Sequence, residues 1–296
     1  MSADLAAPTG AGGRAAPGEA RAAVAAPPDR AGAPRRVAVG LVLLFFLFPI
    51  VYLALVSVKP QPEMLSGRLL PSRFAWENWS GAYAAAPVLL YLRNSVVVAV
   101  LSAGLTMLLA VPATYAMVRH GTGGKALSTL LLSTYMAPPV VAVLPLFYLL
   151  KWLGLIDTLP GLALLNGLAA VPVAVWLLDS FVRGVPREIE EAAAVDGAGQ
   201  LETLWRIVLP LIAPGIAAAA IICMILAYNE FLFAVVTTYR PETQTLPVGT
   251  ALFQGDRLVR FGQMAAASLT GMVPVYAVAL IFQRWMIEGL TSGAVK

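Results

Sequence analysis

Six stretches of this chain stay apolar for about twenty residues or more, and they limit its fold more than any other feature. They run near Val37–Val58, Asn94–Val118, Leu127–Leu150, Gly161–Val182, Leu211–Val236 and Met264–Ile287. A helix rises about 1.5 Å per residue, so about 20 residues cross a hydrocarbon core about 30 Å thick. Barrel strands need only about 9–11 alternating residues, and these runs are longer and do not alternate. The expected class is an all-α integral membrane protein with six transmembrane helices. Composition agrees, since only 12% of the 296 residues are charged, against about 25% in a soluble domain.

Residues 1–34 contain Ala, Gly, Pro and Arg with almost no large apolar side chain. They bury too little to offset the entropy of ordering, so a disordered tail is expected. Residues 35–296 are expected to form one transmembrane domain. The first apolar run starts late and is too long for a secretory signal. Arg35 and Arg36 just before it predict a cytoplasmic N-terminus, and six spans then put both termini on that side. On this orientation twelve Lys and Arg lie inside and eight outside, or seven against eight without the tail. Two longer connections, Lys59–Arg93 with Trp76 and Trp79, and Thr237–Gln263, are expected outside. Each reads as a solvated connection with interfacial aromatics or as a docking surface for an external partner.

Several chemistries are poorly served. Cys223 is the single cysteine and lies in an apolar run, so it reads as a packing residue. His120 is the single histidine, and no other ligand types cluster with it as a zinc site needs. Basic clusters interleaved with aromatics are absent, so no nucleic-acid partner is expected. "RHGTGGKALS", Arg119–Ser128, misses the phosphate-loop pattern, with Ala126 after Gly124-Lys125 and Arg119 at the first glycine position. It reads as a turn between spans. No cofactor is expected in this chain.

One polar island interrupts the greasy sequence. Arg183–Arg206 holds eight of the 36 charged side chains, each costing roughly 2.5–3.5 kcal/mol at mid-bilayer. It therefore lies outside the hydrocarbon, on the side of the N-terminus. Pro186 suits a helix start, and Glu188, Glu190 and Glu191 favour early turns. The alanines at 192–194 favour helix, and Gly197 and Gly199 suit a cap and turn. A second short helix is expected over Leu201–Val208, with Leu201, Leu204, Trp205 and Val208 on one face. The spacing predicts a helix–turn–helix along the inner face, which without a partner would be merely an amphipathic surface helix.

The island also resembles the signature of permease subunits of binding-protein-dependent ABC importers: EAA, three residues, Gly, nine residues, Ile, one residue, Leu-Pro. Here Glu191-Ala192-Ala193 is followed by Ala194, Val195, Asp196 and Gly197. Nine residues then lead to Ile207, Val208 and Leu209-Pro210. "YNEFLFA", Tyr228–Ala234, "NSVVVAV" from Asn94, and "RWMIEGLTSGAVK" at the C-terminus are similar to the carbohydrate branch of the maltose (MalG) type. The resemblance covers residues 37–296. It implies a type I importer permease fold in a prokaryotic cell membrane, with coupling helices between spans four and five. It implies that Glu191, Ala192, Ala193, Asp196, Gly197, Ile207, Leu209 and Pro210 dock on a separate ABC ATPase. The partners it implies are a second, MalF-type permease, the ATPase pair, an extracytoplasmic sugar-binding protein, a sugar and the lipid bilayer. ATP hydrolysis falls to another subunit, so this chain is not expected to be an enzyme.

Glu230 is the single ionisable residue well inside an expected span, with Asn229 beside it. An intramembrane carboxylate faces a bundle interior or a water-filled path. Asn229 and Glu230 are therefore candidates for the translocation path or its gate, or else for an interhelical hydrogen bond worth about 0.6 kcal/mol. The alternative function is an ion-coupled secondary transporter of a small solute. It would show repeated halves and several ionisable relays, and neither is visible.

Overall fold

The computed structural model describes residues 32–255 and 259–292. Nearly all of the expected tail, and the last four residues, lie outside them. The contacts divide the chain into two compact units, 1–48 and 49–296. The described part of the first unit is helical and starts the helix α1, Gly32–Ser57. Val37, Leu41, Leu44 and Phe45 there are all more than half exposed, as lipid-facing side chains are.

Among the described residues of the second unit, the regular structure is helical apart from one isolated bridge between Gln254 and Val259. After the end of α1 come a short α2, Glu77–Ala85, and the long α3, Val88–His120. Helices α4, Gly124–Met136, and α5, Pro139–Trp152, lead to α6, Leu159–Gly184. Helix α7, Arg187–Val195, turns into α8, Gln200–Leu211. Helix α9, Ala213–Tyr228, is followed by α10, Leu232–Thr237, and α11, Leu246–Ala251. The last is α12, Phe261–Ser292.

Among the described residues four helices are long and apolar enough to span a membrane, or six if each of two bent pairs counts as one span. The expected span at 127–150 is one of those pairs: α4 and α5 meet at 96°. The cause is Pro138-Pro139. A residue before proline is pushed out of the helical region, and Ala137 and Pro138 have extended ψ values of 138° and 121°. The expected span at 211–236 is also interrupted. Helix α9 ends at Tyr228 and α10 starts only at Leu232. By contrast Pro112, Pro172 and Pro274 sit inside α3, α6 and α12, since membrane helices tolerate proline where neighbours satisfy the freed carbonyls.

The core lies where α3 packs along α6, with α9 against both. Small residues let these helices approach. A Cβ on Gly167 would lie 2.9 Å from Leu105 Cδ2 and 3.1 Å from the Ser102 carbonyl oxygen. The closeness lets hydroxyls reach the facing backbone. Ser102 donates to the Ala163 carbonyl at 3.1 Å, and Thr106 to the Gly167 carbonyl at 2.8 Å. Such small-residue contacts drive association where lipid supplies no hydrophobic gradient. Cys223 is fully buried in this core, as a packing residue would be.

Gly167→Val should separate α3 from α6 and cost about 1–3 kcal/mol through overpacking. Gly184→Ala, where an added Cβ meets nothing within 4 Å, should change little. Thermal unfolding of the detergent-solubilised protein measures the difference.

Candidate functional site

The polar island folds as two helices joined by a turn. Pro186 precedes α7, and Glu188 and Glu190 stand in its first turn, where the helix dipole favours carboxylates. Helix α7 closes with Asp196 donating its N–H to the Ala192 carbonyl at 3.0 Å and Gly197 to that of Ala194 at 3.1 Å. Gly197 has φ +88°, in the left-handed region where glycine carries no steric penalty. Gly199 has ordinary extended backbone and starts α8.

The expected apolar face of α8 is split. Leu204 and Val208 are buried, whereas Leu201 is 72% exposed and Trp205 50%. Residues Thr203–Val208 form a π-helical turn. Its i→i+5 pattern is wider than the α-helix on which the single face was drawn. The turn lies just before Pro210, which offers no N–H and crowds the carbonyl four residues back. Glu191, Ala192, Asp196, Gly197 and Pro210 are exposed, Ile207 and Leu209 are half-buried, and Ala193 is buried. With Val195, 87% exposed, Leu201 and Trp205 supply apolar surface on a segment otherwise fringed by charge.

Two residues outside the expected site secure this segment. Arg119, in the last turn of α3, places Nε 2.6 Å from Glu190 Oε1. Its Nη2 donates to the Val182 and Val185 carbonyls at 2.8 and 2.6 Å. Tyr115 donates its hydroxyl to Glu190 Oε2 at 2.9 Å. Sequence patterning could not single these out, because Arg119 reads as one more basic residue at a span end. His120 ends α3 with its ring edge-on to Tyr115.

Asn229 and Glu230 are not brought to this cluster. They follow α9, whose 16 residues rise roughly 24 Å. Glu230 caps the next helix, accepting the Phe233 and Ala234 N–H groups at 2.7 and 3.1 Å. The carboxylate thus satisfies backbone groups left open by the break. Asn229 is exposed and donates to the Ile225 carbonyl at 2.8 Å. With Tyr228, Thr250, Ser268 and Tyr276 it lines a recess of about 290 Å³.

At that same end the connection after α10 is clamped. Asp157, with φ +56°, accepts the Tyr239 N–H at 2.9 Å, Arg240 Nε at 2.5 Å and the Thr243 hydroxyl. Asn94 donates to the Glu242 and Gln244 carbonyls, both at 2.9 Å, and Ser95 accepts the Leu246 N–H at 2.8 Å. The expected loop at 59–93 is also tied down. Asn78 donates to the Ser57 and Lys59 carbonyls, and Trp79 to the Ser57 hydroxyl. Trp76 stays exposed against Phe74. Among the described residues no three His, Cys, Asp or Glu side chains converge as metal ligands would.

Residues 102–291 match the family model described as "Binding-protein-dependent transport system inner membrane component". The chain belongs to this family. The permease is 35% identical to the trehalose transport system permease protein SugB of Mycobacterium tuberculosis, over 86% of this chain and 94% of the relative. It is 34% identical to the trehalose/maltose transport system permease protein MalG of Thermococcus litoralis, over 86% and 94%. Among solved structures it resembles a chain of a bacterial ABC transporter that imports the acidic polysaccharide alginate. The TM-score is 0.69 at 22% identity, covering 86% of this chain and 95% of that one. The permease is thus a multi-pass membrane subunit of the ABC-importer class with the type I fold, and it is a transport subunit rather than an enzyme. Such a permease works with a second permease, an ATPase and a binding protein.

The Asp157 clamp has a pH signature. Burial raises its pKa, but the Thr243 hydroxyl, the Tyr239 and Arg240 N–H groups and the Arg240 guanidinium outweigh it and bring the carboxyl to about 2. A lowered folded pKa stabilises above the unfolded value, and the effect fades as pH falls through the folded one. Protection of amides 239–246 in hydrogen exchange should therefore be constant above about pH 5 and fall between about pH 4 and 2. Asp157→Asn should lower it at neutral pH.

Proposed function

We propose that the permease is one half of the translocation path of an ATP-driven carbohydrate importer, with α7 and α8 as the surface that docks on a separate ATPase. The observation that carries this reading is the exposed apolar trio Val195, Leu201 and Trp205, set beside the exposed Glu191 and Gly197 on a segment too charged to enter lipid. An exposed apolar patch rimmed by polar groups marks a protein contact. The relatives named for trehalose and maltose transport support a glycoside as the cargo. In this reading both termini lie in the cytoplasm with α7 and α8, and the partner permease is of MalF type. The connection from Thr237 to Gln263, clamped at residues 239–246, faces the sugar-binding protein on the other side. ATP binding would draw the ATPase subunits together and carry α7 with them, tilting the spans between inward- and outward-open states.

Asn229 and Glu230 then belong to the path in different ways. Asn229 faces the recess, and Glu230 holds the break in the chain that shapes it. Glu230→Gln keeps an acceptor for one of the two N–H groups, so uptake should fall less than in Glu230→Ala. Sugar uptake by cells expressing each variant is the readout, and unchanged uptake in both would remove these residues from the path.

Gly197 tests the docking surface. An added Cβ there meets nothing within 4 Å in this chain. Gly197→Ala and Gly197→Trp therefore share the backbone strain, about 1–2 kcal/mol, and only the second protrudes toward a partner. Recovery of the ATPase with the tagged permease should fall about tenfold more for Gly197→Trp than for Gly197→Ala. Equal recovery would count against docking at this surface.

A further inference from the structure

Among the described ion pairs, Arg119–Glu190 is the one in which both side chains are largely buried; Arg240, the partner of Asp157, is 65% exposed. Arg73–Glu77, Arg183–Asp179 and Arg206–Glu202 are exposed pairs four residues apart in sequence. Arg119 and Glu190 belong to different elements, and their side chains are only 7% and 14% exposed. Desolvation makes a buried pair a poor source of stability, and apolar residues of like size serve folding as well or better. What the pair supplies is a fixed geometry. Tyr115 hydrogen-bonds one Glu190 oxygen, the other faces the Arg119 guanidinium as a close ion pair without hydrogen-bond alignment, and both of these residues stand on α3. The same Arg119 grips the carbonyls of Val182, near the end of α6, and Val185, just beyond it. The first turn of α7 is therefore tied to the ends of both core helices. Glu191, its neighbour, is left exposed.

We propose that Arg119, Tyr115 and Glu190 form a latch that transmits displacement of α7 to α3 and α6. They are positioning residues for the coupling of ATP hydrolysis to transport. Without the latch, residues 185–186 between α6 and α7 would absorb the motion. With it, α7 moves together with the α3–α6 core that Ser102, Thr106 and Gly167 hold together. The inference rests on the reading that α7 docks on the ATPase, but it concerns a different set of side chains, on the buried side of the helix.

The test uses the full importer reconstituted in liposomes with its ATPase, second permease and binding protein. Three quantities are read: ATPase recovered with the permease, ATP hydrolysed, and sugar transported per ATP. Glu190→Gln and Tyr115→Phe should assemble like the wild type. Transport per ATP should fall about fivefold or more in Glu190→Gln and less in Tyr115→Phe. Arg119→Met combined with Glu190→Met guards against misfolding, because it replaces the charges by packed apolar side chains. It should assemble and show the same loss of transport per ATP. A wild-type ratio in Glu190→Gln and in the double variant would overturn the latch while leaving docking intact. Loss of assembly in all three variants would also overturn it, making the pair part of the docking surface or the fold. Failure of the wild-type chain to bind an ATPase would instead sink the docking reading itself.

Discussion

Helices α3 and α6 lie so close that the Cβ of an alanine at position 167 would press on Leu105 and on the backbone of Ser102. That approach governs much else in the molecule. In lipid, association cannot draw on the hydrophobic effect, so it depends on close packing and on hydroxyls reaching facing carbonyls. Ser102 and Thr106 do this. Once the two helices are joined, their ends become fixed points. At one end Arg119 and Tyr115 hold Glu190 of α7. At the other, Asn94 and Ser95 hold the backbone of the connection that leads into α11.

Around this core the chain is deliberately discontinuous. Helices α4 and α5 meet at a proline pair, and α8 and α9 are bent by 80°. Between α9 and α10 three residues leave the helix, and Glu230 closes the gap with its carboxylate. Irregular backbone at membrane depth is tolerated where protein or a water-filled cavity satisfies it. The break beside Asn229 borders a recess, which fits a chain that lines a path. A stiff pair of helices with bent neighbours can pass a movement from α7 across the bilayer without each element deforming separately.

The class of fold was legible because apolar run length is a one-dimensional property, and six such runs have few solutions. The turn in the polar island was equally legible, since Gly197 and the alanines before it act locally. Local chemistry also contained the bend at Pro138-Pro139, yet run length alone hid it: an apolar stretch of the right size looks like one span whether straight or folded. The π turn at Thr203–Val208 could not be read, because apolar spacing does not distinguish an i→i+5 turn from an α-helical one. Glu230 was conspicuous as a charge in a span, but its capping role depends on where α9 stops. Arg119 with Glu190, and Asp157 with Arg240 and Thr243, join residues far apart in sequence. Nothing in either neighbourhood announces the other.

The most direct test of the central claim is purification of the tagged chain from its native membranes, with identification of the proteins that accompany it. The account expects an ABC ATPase, a second permease with comparable spans and a sugar-binding protein. Recovery of the chain alone, in a detergent that preserves a known importer of this class, would contradict it and turn attention to a self-contained transporter.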